Sequence, residues 1–243
     1  MAPSNSDRIR DFFTAYSRDI TPTPLHHAAK ILYAPVAHEA NITRCCESLL
    51  SKAEQQRAER FIAADDRSLF IQRRVFRRFC GAQALGSAQP LSHVSFEETE
   101  NGCPYLTDQP DVSFSFSSCR FGLLGAWSST YQVGVDIEDC TTNPGATELA
   151  RRYFSVAEAR SVVGHDGSEN LQSFFRLWSL KEAALKSIGE GMPFGLSAFE
   201  FELEPSLRIL HAPADYGGVE RFSAHLIEAI ENSIAIVVRN RLI

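Results

Sequence analysis

Val133-Gly-Val-Asp-Ile-Glu138 alternates strictly between apolar and small or acidic residues. In an extended strand, Val133, Val135 and Ile137 point to one side, and Gly134, Asp136 and Glu138 to the other. A two-residue offset places both carboxylates on one face, a few ångströms apart. Two like charges so close call for a reason. A bound cation removes the repulsion, and hard cations such as Mg²⁺ prefer carboxylate oxygens. An ordinary polar outer face would alternate in the same way, so spacing alone leaves both readings open.

The next informative stretch is a helix predicted over roughly 169–188. Leu171, Phe175, Trp178, Glu182 and Leu185 fall within about 80° of one another at 100° per residue. A second apolar face holds Leu177, Leu180, Ala184 and Ile188. A helix apolar on two sides is expected to be largely buried. Glu182 then lies in an apolar stripe, where an unpaired carboxylate costs several kcal/mol. Lys186, four residues on, can pair with it. The alternative is that Glu182 joins Asp136 and Glu138 around one cation.

Working outward, Val112-Ser-Phe-Ser-Phe-Ser117 alternates as well, and residues 121–127 can pair with it as a hairpin. Further strand patterns occur at Phe199–Leu203, Phe222–Ile227 and Ile234–Val238, with another helix over roughly 146–163. Toward the N-terminus, Ser51 and Glu54 form a capping box that starts a helix through about Phe61. Asp65 or Asp66 can cap the next helix, which carries Leu69, Phe76, Phe79 and Cys80 and ends at Gly81. Residues 1–24 read as a loose lead-in. Strands and helices thus form two clusters on either side of about residue 130, and hairpin-like spacing favours antiparallel sheets in an α+β fold. No internal repeat is visible.

Seven of the 24 basic residues, Arg57, Arg60, Arg67, Arg73, Arg74, Arg77 and Arg78, fall within 22 positions. They read either as a solvated helix face or as an anion site or dock for an acidic partner. The chain as a whole is acidic: 24 Lys+Arg against 30 Asp+Glu among 243 residues give a net charge of −6. That balance, with no interleaved basic and aromatic motif, argues against a nucleic-acid protein. The 44% apolar content excludes a disordered chain. No run of eighteen apolar residues exists, so no membrane-spanning helix is expected. Charges in the first nineteen residues replace the apolar run of a signal peptide, which points to the cytoplasm. The six cysteines are scattered without a C-x-x-C, and the seven histidines without an H-E-x-x-H, which argues against disulfides and zinc.

Gly134–Glu138, followed by Trp178-Ser-Leu-Lys-Glu-Ala-Ala-Leu-Lys186, resembles the signature of the 4′-phosphopantetheinyl transferases, in the larger type represented by the surfactin-synthetase activator. Arg152-Tyr-Phe-Ser-Val-Ala-Glu158, Ser51–Arg67 and Asn101-Gly-Cys-Pro-Tyr105 extend the resemblance over about residues 48–203. It implies two similar α+β halves related by a pseudo-two-fold, residues 25–130 and 131–243, with the active site in the cleft between them. It implies transfer of the phosphopantetheine arm of coenzyme A to a serine of an acyl or peptidyl carrier protein, releasing 3′,5′-ADP. Asp136, Glu138 and Glu182 match the family's Mg²⁺ ligands. Lys186 matches a lysine near the pyrophosphate, and Lys181 the lysine of the W-x-x-K-E motif. Glu158 matches a glutamate proposed to help deprotonate the serine. Arg67 matches a position on the nucleotide phosphates, Arg57 one near the 3′-phosphate, and Trp178 a packing residue. A monomer acting in fatty-acid, polyketide or nonribosomal-peptide metabolism is expected, with neither a nucleic acid nor a membrane as partner. Acidic carriers would suit the arginine helix, so charge reversal at Arg73 and Arg77 is expected to weaken carrier binding and spare coenzyme A.

The sequence departs from the pattern on the donor side. The family's F-N-x-S-H becomes Phe114-Ser-Phe-Ser-Ser118: Ser117 fits the serine, Ser118 replaces the histidine and Ser115 the asparagine. Cys103 replaces the lysine of G-K-P. Loss of two charge-assisted hydrogen bonds would lower donor affinity by roughly 10²–10⁴-fold unless compensated, with Arg120 the nearest cation in sequence. Three readings follow: a working transferase with a rearranged donor pocket, a repurposed enzyme acting on carrier-bound substrates, and a non-catalytic carrier-binding homologue.

Overall fold

The structure is a computed structural model that describes residues 3–86, 88–142, 145–164, 167–228 and 232–241. Helix α1, Asn5–Tyr16, starts in a capping box: Ser4 Oγ accepts from the Asp7 amide, and the Asp7 carboxylate accepts from the Ser4 amide. Its Ile9 and Phe13 are buried. The expected loose lead-in is therefore, over these residues, a docked helix; Ser4-x-x-Asp7 was the unread start signal. Strands β1, Arg18–Asp19, and β2, Lys30–Pro35, follow, then helices α2, Ala40–Glu47, and α3, Lys52–Ala58. The Ser51/Glu54 capping box starts α3, as expected, but the helix stops short of Phe61.

Helix α4, Ala64–Ala84, begins after Ala63. Asp65 and Asp66 lie in its first turn rather than at the cap, where they still face the positive end of the helix dipole. It also runs through Gly81, the expected end. A Cβ there would lie 2.8 Å from Val94 Cγ1, so this glycine serves close packing rather than termination. After β3, Glu97–Glu98, and β4, Pro104–Tyr105, come β5, Ser113–Ser118, β6, Gly122–Ser128, and β7, Tyr131–Asp139. The single helix expected over 146–163 is two, α5, Ala146–Tyr153, and α6, Val156–Ser161. Ser155 breaks it by capping α6 in a box with Glu158. Helix α7, Leu171–Ser187, precedes β8, Glu200–Glu202, β9, Arg208–His211, β10, Phe222–Glu228, and β11, Asn232–Asn240.

Every strand pair is antiparallel among the described residues. One sheet has the order β1-β2-β6-β5 and another β10-β11-β7, with β3-β4 and β8-β9 as small ribbons. The fold is α+β. The serines of β5 link the two larger sheets. Val133 N and Val135 N donate to Ser113 Oγ and Ser115 Oγ at 3.0 Å each. The hydroxyls thus satisfy strand amides that have no β-ladder partner on that side. On the other face, Phe114 and Phe116 pack edge-on against Phe96 at 5.0 and 5.4 Å.

Three buried clusters follow from this layout. The first gathers α1, α4 and their sheet around Phe13, Phe76 and Phe79. The second surrounds α7 with Phe174, Leu177, Leu180 and Val237. The third lies between the sheets, with Ile31, Leu124, Val135 and Ile236. Each fully buried large apolar side chain contributes about 1.5–3 kcal/mol, so α7 is held chiefly by its apolar faces.

Candidate active site

Gly134 decides where α7 sits. A Cβ at this position would lie 1.8 Å from the Ala183 carbonyl oxygen and 2.5 Å from the Ser187 amide. Only glycine lets β7 cross the helix backbone so closely. That contact brings Asp136 and Glu138 on β7 beside Glu182 and Lys186 on α7. Lys186 Nζ donates to Asp136 Oδ1 at 2.7 Å and to the Val135 carbonyl at 3.2 Å. Ser117 Oγ, from β5, donates to the same Asp136 Oδ1 at 2.8 Å. Asp136 is only 3% exposed, and its Oδ2 is buried with no hydrogen-bond partner. Lys186 therefore pairs with Asp136, not with Glu182 one turn before it.

The electrostatics follow from three acids sharing one lysine. Burial pushes the Glu138 carboxyl up to about 8, helped by Asp136 beside it and by Glu182, and opposed by Lys186. Glu182 is raised too, by burial first and by Asp136, with Lys186 pulling the other way. Among the described residues, no three His, Cys, Asp or Glu side chains are already gathered as a metal cage. Glu138 instead shares a hydrogen bond with Asp136, and Lys186 pairs with that same Asp136 carboxylate. The donor set still fits a hard divalent cation: all-oxygen carboxylates, surplus negative charge and an orphaned buried oxygen. Glu182 and Lys186 open into a cavity of about 230 Å³, which Arg77, Cys103, Ser115 and Phe116 also line.

Residues 132–235, which carry β7 and α7, match the family model of the 4′-phosphopantetheinyl transferase superfamily. The stretch that carries Asp136, Glu138, Glu182 and Lys186 is thus similar to this superfamily. It is 34% identical over 112 residues to the 4′-phosphopantetheinyl transferase Sfp of Bacillus subtilis, covering 46% of this chain and 49% of the relative. It is 30% identical over 154 residues to a putative 4′-phosphopantetheinyl transferase of Synechocystis sp., covering 62% and 61%. To the L-aminoadipate-semialdehyde dehydrogenase-phosphopantetheinyl transferase of Xenopus laevis it is 30% identical over 172 residues, covering 66% and 56%. The chain spans about half to three fifths of the length of these relatives.

Not every residue singled out by the superfamily resemblance reaches this cavity. Glu158 and Lys181 form a closed pair at 2.8 Å, with side chains 1% and 0% exposed. Glu158 also accepts from the Ser155 and Phe201 amides at 2.8 and 2.9 Å. Lys181 donates to the Leu196 and Phe199 carbonyls at 3.1 and 2.5 Å. A carboxylate this enclosed has no surface to offer an incoming serine, and the lysine none to offer coenzyme A; both hold α6, α7 and β8 together. Periodicity carried a sign of this. Lys181 falls about 20° from Ile188 and about 40° from Leu177 on the helix wheel, at the edge of the second apolar face. Trp178 packs on Phe174 and Tyr153, at 5.5 and 6.1 Å between ring centroids, as expected.

On the basic side, Arg67 is ion-paired with Glu47. Arg57 is exposed and lies 5.5 Å from the Phe70 ring centroid. Arg78 reaches Glu54 at 2.7 Å, and Arg77 reaches Glu98 at 3.1 Å. The arginine helix is thus partly neutralised by this chain's own acids. Arg120 is held by Asp139 at 2.7 Å and Thr141 at 2.6 Å. Ser118 lines a second cavity, of about 210 Å³, with Arg73, Arg77 and Phe116. The sequence reading missed Arg77 as a cavity residue, although it lies one helical turn after Arg73.

Proposed function

We propose that the chain transfers the 4′-phosphopantetheine arm of coenzyme A to a serine of an acyl or peptidyl carrier protein, with release of 3′,5′-ADP. The observation that carries this reading is Asp136 Oδ2, buried and unpartnered on a carboxylate that interacts with Glu138, Glu182 and Lys186. Asp136, Glu138 and Glu182 would hold Mg²⁺, which supplies charge neutralisation at a transferring phosphoryl group. Lys186 holds negative charge at the pyrophosphate, where the leaving nucleotide's charge develops. Ser117 fixes the Asp136 rotamer, so that Oδ2 stays available. Glu158 and Lys181 position α7 from behind. The similarity to relatives that are named as phosphopantetheinyl transferases supports the reaction class. A soluble monomer in the cytoplasm fits it; no helix among the described residues is long and apolar enough to cross a membrane.

The experiment is an intact-mass measurement of apo carrier proteins after incubation with the protein, coenzyme A and Mg²⁺. A gain equal to the phosphopantetheine arm, lost in Glu182→Ala, supports the reading. No gain on any carrier, with a known transferase active alongside, overturns it. The cavity then favours a second reading, an enzyme acting on carrier-bound substrates. The observation behind that alternative is Cys103, whose thiol, pushed up by burial and by Glu190, adds no positive charge beside Glu182 and Lys186.

A further inference from the structure

The 230 Å³ cavity that holds Glu182 and Lys186 is also lined by Asn101 and Cys103, from the turn between β3 and β4, and by Glu190, just beyond α7. The two pieces differ in how firmly they are held. The chain after α7 is fixed. Gly189, at φ +78°, and Glu190 close a Schellman cap, their amides donating to the Lys186 and Leu185 carbonyls at 3.2 and 3.0 Å. The turn is slighter. Strands β3 and β4 pair over two residues each, Glu97 with Tyr105 and Glu98 with Pro104. Their base is anchored, by Phe96 on Phe114 and Phe116 and by Arg74 and Arg77 on Glu98. At the tip, Glu100, Asn101 and Gly102 are exposed. A short ribbon with an exposed tip belongs to the low-stability end of a fold.

One side chain ties the two pieces together. Glu190 Oε2 accepts from Asn101 Nδ2 at 3.1 Å, and Glu190 Oε1 accepts from the Tyr216 hydroxyl at 2.9 Å. Tyr216 is itself braced by the Phe194 ring at 5.9 Å and the Arg239 guanidinium at 5.1 Å. The Glu190 carboxylate is thus held on the C-terminal side and offers its other oxygen to the turn. Among the described residues, it gives the tip, residues 100–103, its one hydrogen bond outside the ribbon. The tip also lies against the α7 cap, where a Cβ on Gly189 would be 3.7 Å from Cys103 Sγ. A single exposed hydrogen bond is weak enough to break and remake.

We propose that the β3–β4 turn is a lid on this cavity and Glu190 its latch: the Asn101–Glu190 bond holds the turn shut, and its release opens the way to Glu182 and Lys186. Lids exclude water during transfer and set how fast ligands enter and leave. Which ligand the gate admits rests on the donor reading above; the latch itself does not.

The test reads the latch without a ligand and the gate with one. Native wild type and Asn101→Ala are treated with iodoacetamide, and alkylation of Cys103 is followed by peptide mass spectrometry. Asn101 is the residue to change, because removing the Glu190 charge would by itself alter the reactivity of the thiol. Asn101→Ala should alkylate at Cys103 about 3-fold to 10-fold faster, the worth of one exposed hydrogen bond, with an unchanged melting temperature. An unchanged rate overturns the latch. For the gate, Gly189→Cys is treated with oxidised glutathione, which takes up the two electrons as a disulfide forms with Cys103, and intact mass confirms the staple. Carrier modification with coenzyme A and Mg²⁺ should fall about 100-fold in the stapled form and return with a reductant. Transfer at the reduced-form rate by a verified staple overturns the gate. If the strain of a cysteine at positive φ prevents the staple, Asn101→Ala decides the gate: its coenzyme A association and dissociation rates should rise together, with Kd within about 2-fold of wild type. A change in dissociation alone, or in neither rate, overturns it. A wild type that modifies no carrier overturns the donor reading, while the alkylation rates still decide the latch.

Discussion

Two lysines five residues apart on α7 each hold a carboxylate at almost the same distance, Lys181 with Glu158 at 2.8 Å and Lys186 with Asp136 at 2.7 Å. Around the first pair every polar valence is met, by two backbone amides on the acid and two carbonyls on the lysine. Around the second, one acid oxygen is left over, two further acids stand close, and the lysine side chain is 29% exposed. Pair distance alone would class the two together. What separates framework from reactive site is the unmet valence and the access to it, because an orphaned buried oxygen is costly unless something binds there.

The sharpest break of this comparison removes each lysine's role in turn. Lys186→Ala should reduce carrier modification by about 10²–10³-fold, the scale of losing one preorganised charge-stabilising donor. Its melting temperature should fall as well, because the Asp136 carboxylate, 5% exposed, loses its cation. Glu158→Ala should instead act on stability alone. Stranding the buried Lys181 ammonium should cost about 3–5 kcal/mol of stability, read by denaturant unfolding. Activity per folded molecule should stay close to wild type. Lys181→Met with Glu158→Leu should recover only part of that stability, because it removes the stranded charge but leaves the Leu196 and Phe199 carbonyls and the Ser155 and Phe201 amides unpaired. A folded, fully stable Glu158→Ala that has lost transfer would overturn the framework role.

Legibility followed the same divide. Alternation over Val133–Glu138 and the wheel of α7 were readable because both are local periodicities, and they correspond to strand β7 and helix α7 of the structure. The meaning of Gly134 was not readable, since it depends on how closely a helix 49 residues later in the chain, at Ala183, crosses it. The partners of Arg74, Arg77 and Arg78 also lie 20 or more residues away, at Glu54 and Glu98. A charge run read alone therefore looks more open than it is. In β5, the serines looked like a solvated face; they instead bond to β7, a tertiary contact that alternation cannot distinguish from water.

The mildest test asks whether the paired part of the arginine helix belongs with the closed pair or with the open one. Burial works to raise the Glu54 carboxyl, but Arg78, the Ser51 amide and Arg74 outweigh it and hold it below the usual range. A lowered folded-state value means that this acid's contribution is fully present above its unfolded value of 4.5 and is lost as pH falls through the folded one. Stability should therefore decline below about pH 4.5 through Glu54 among other carboxylates. Glu54→Gln should flatten that decline while lowering stability at neutral pH, as followed by thermal melts across the acid range. A variant whose acid profile matches wild type would show that Arg78 and Arg74 are served mainly by Glu98 and solvent. The ion pairs of α4 would then be loose enough to yield to a phosphate. A flattened profile places Glu54, with its partners Arg74 and Arg78, beside Glu158 as framework.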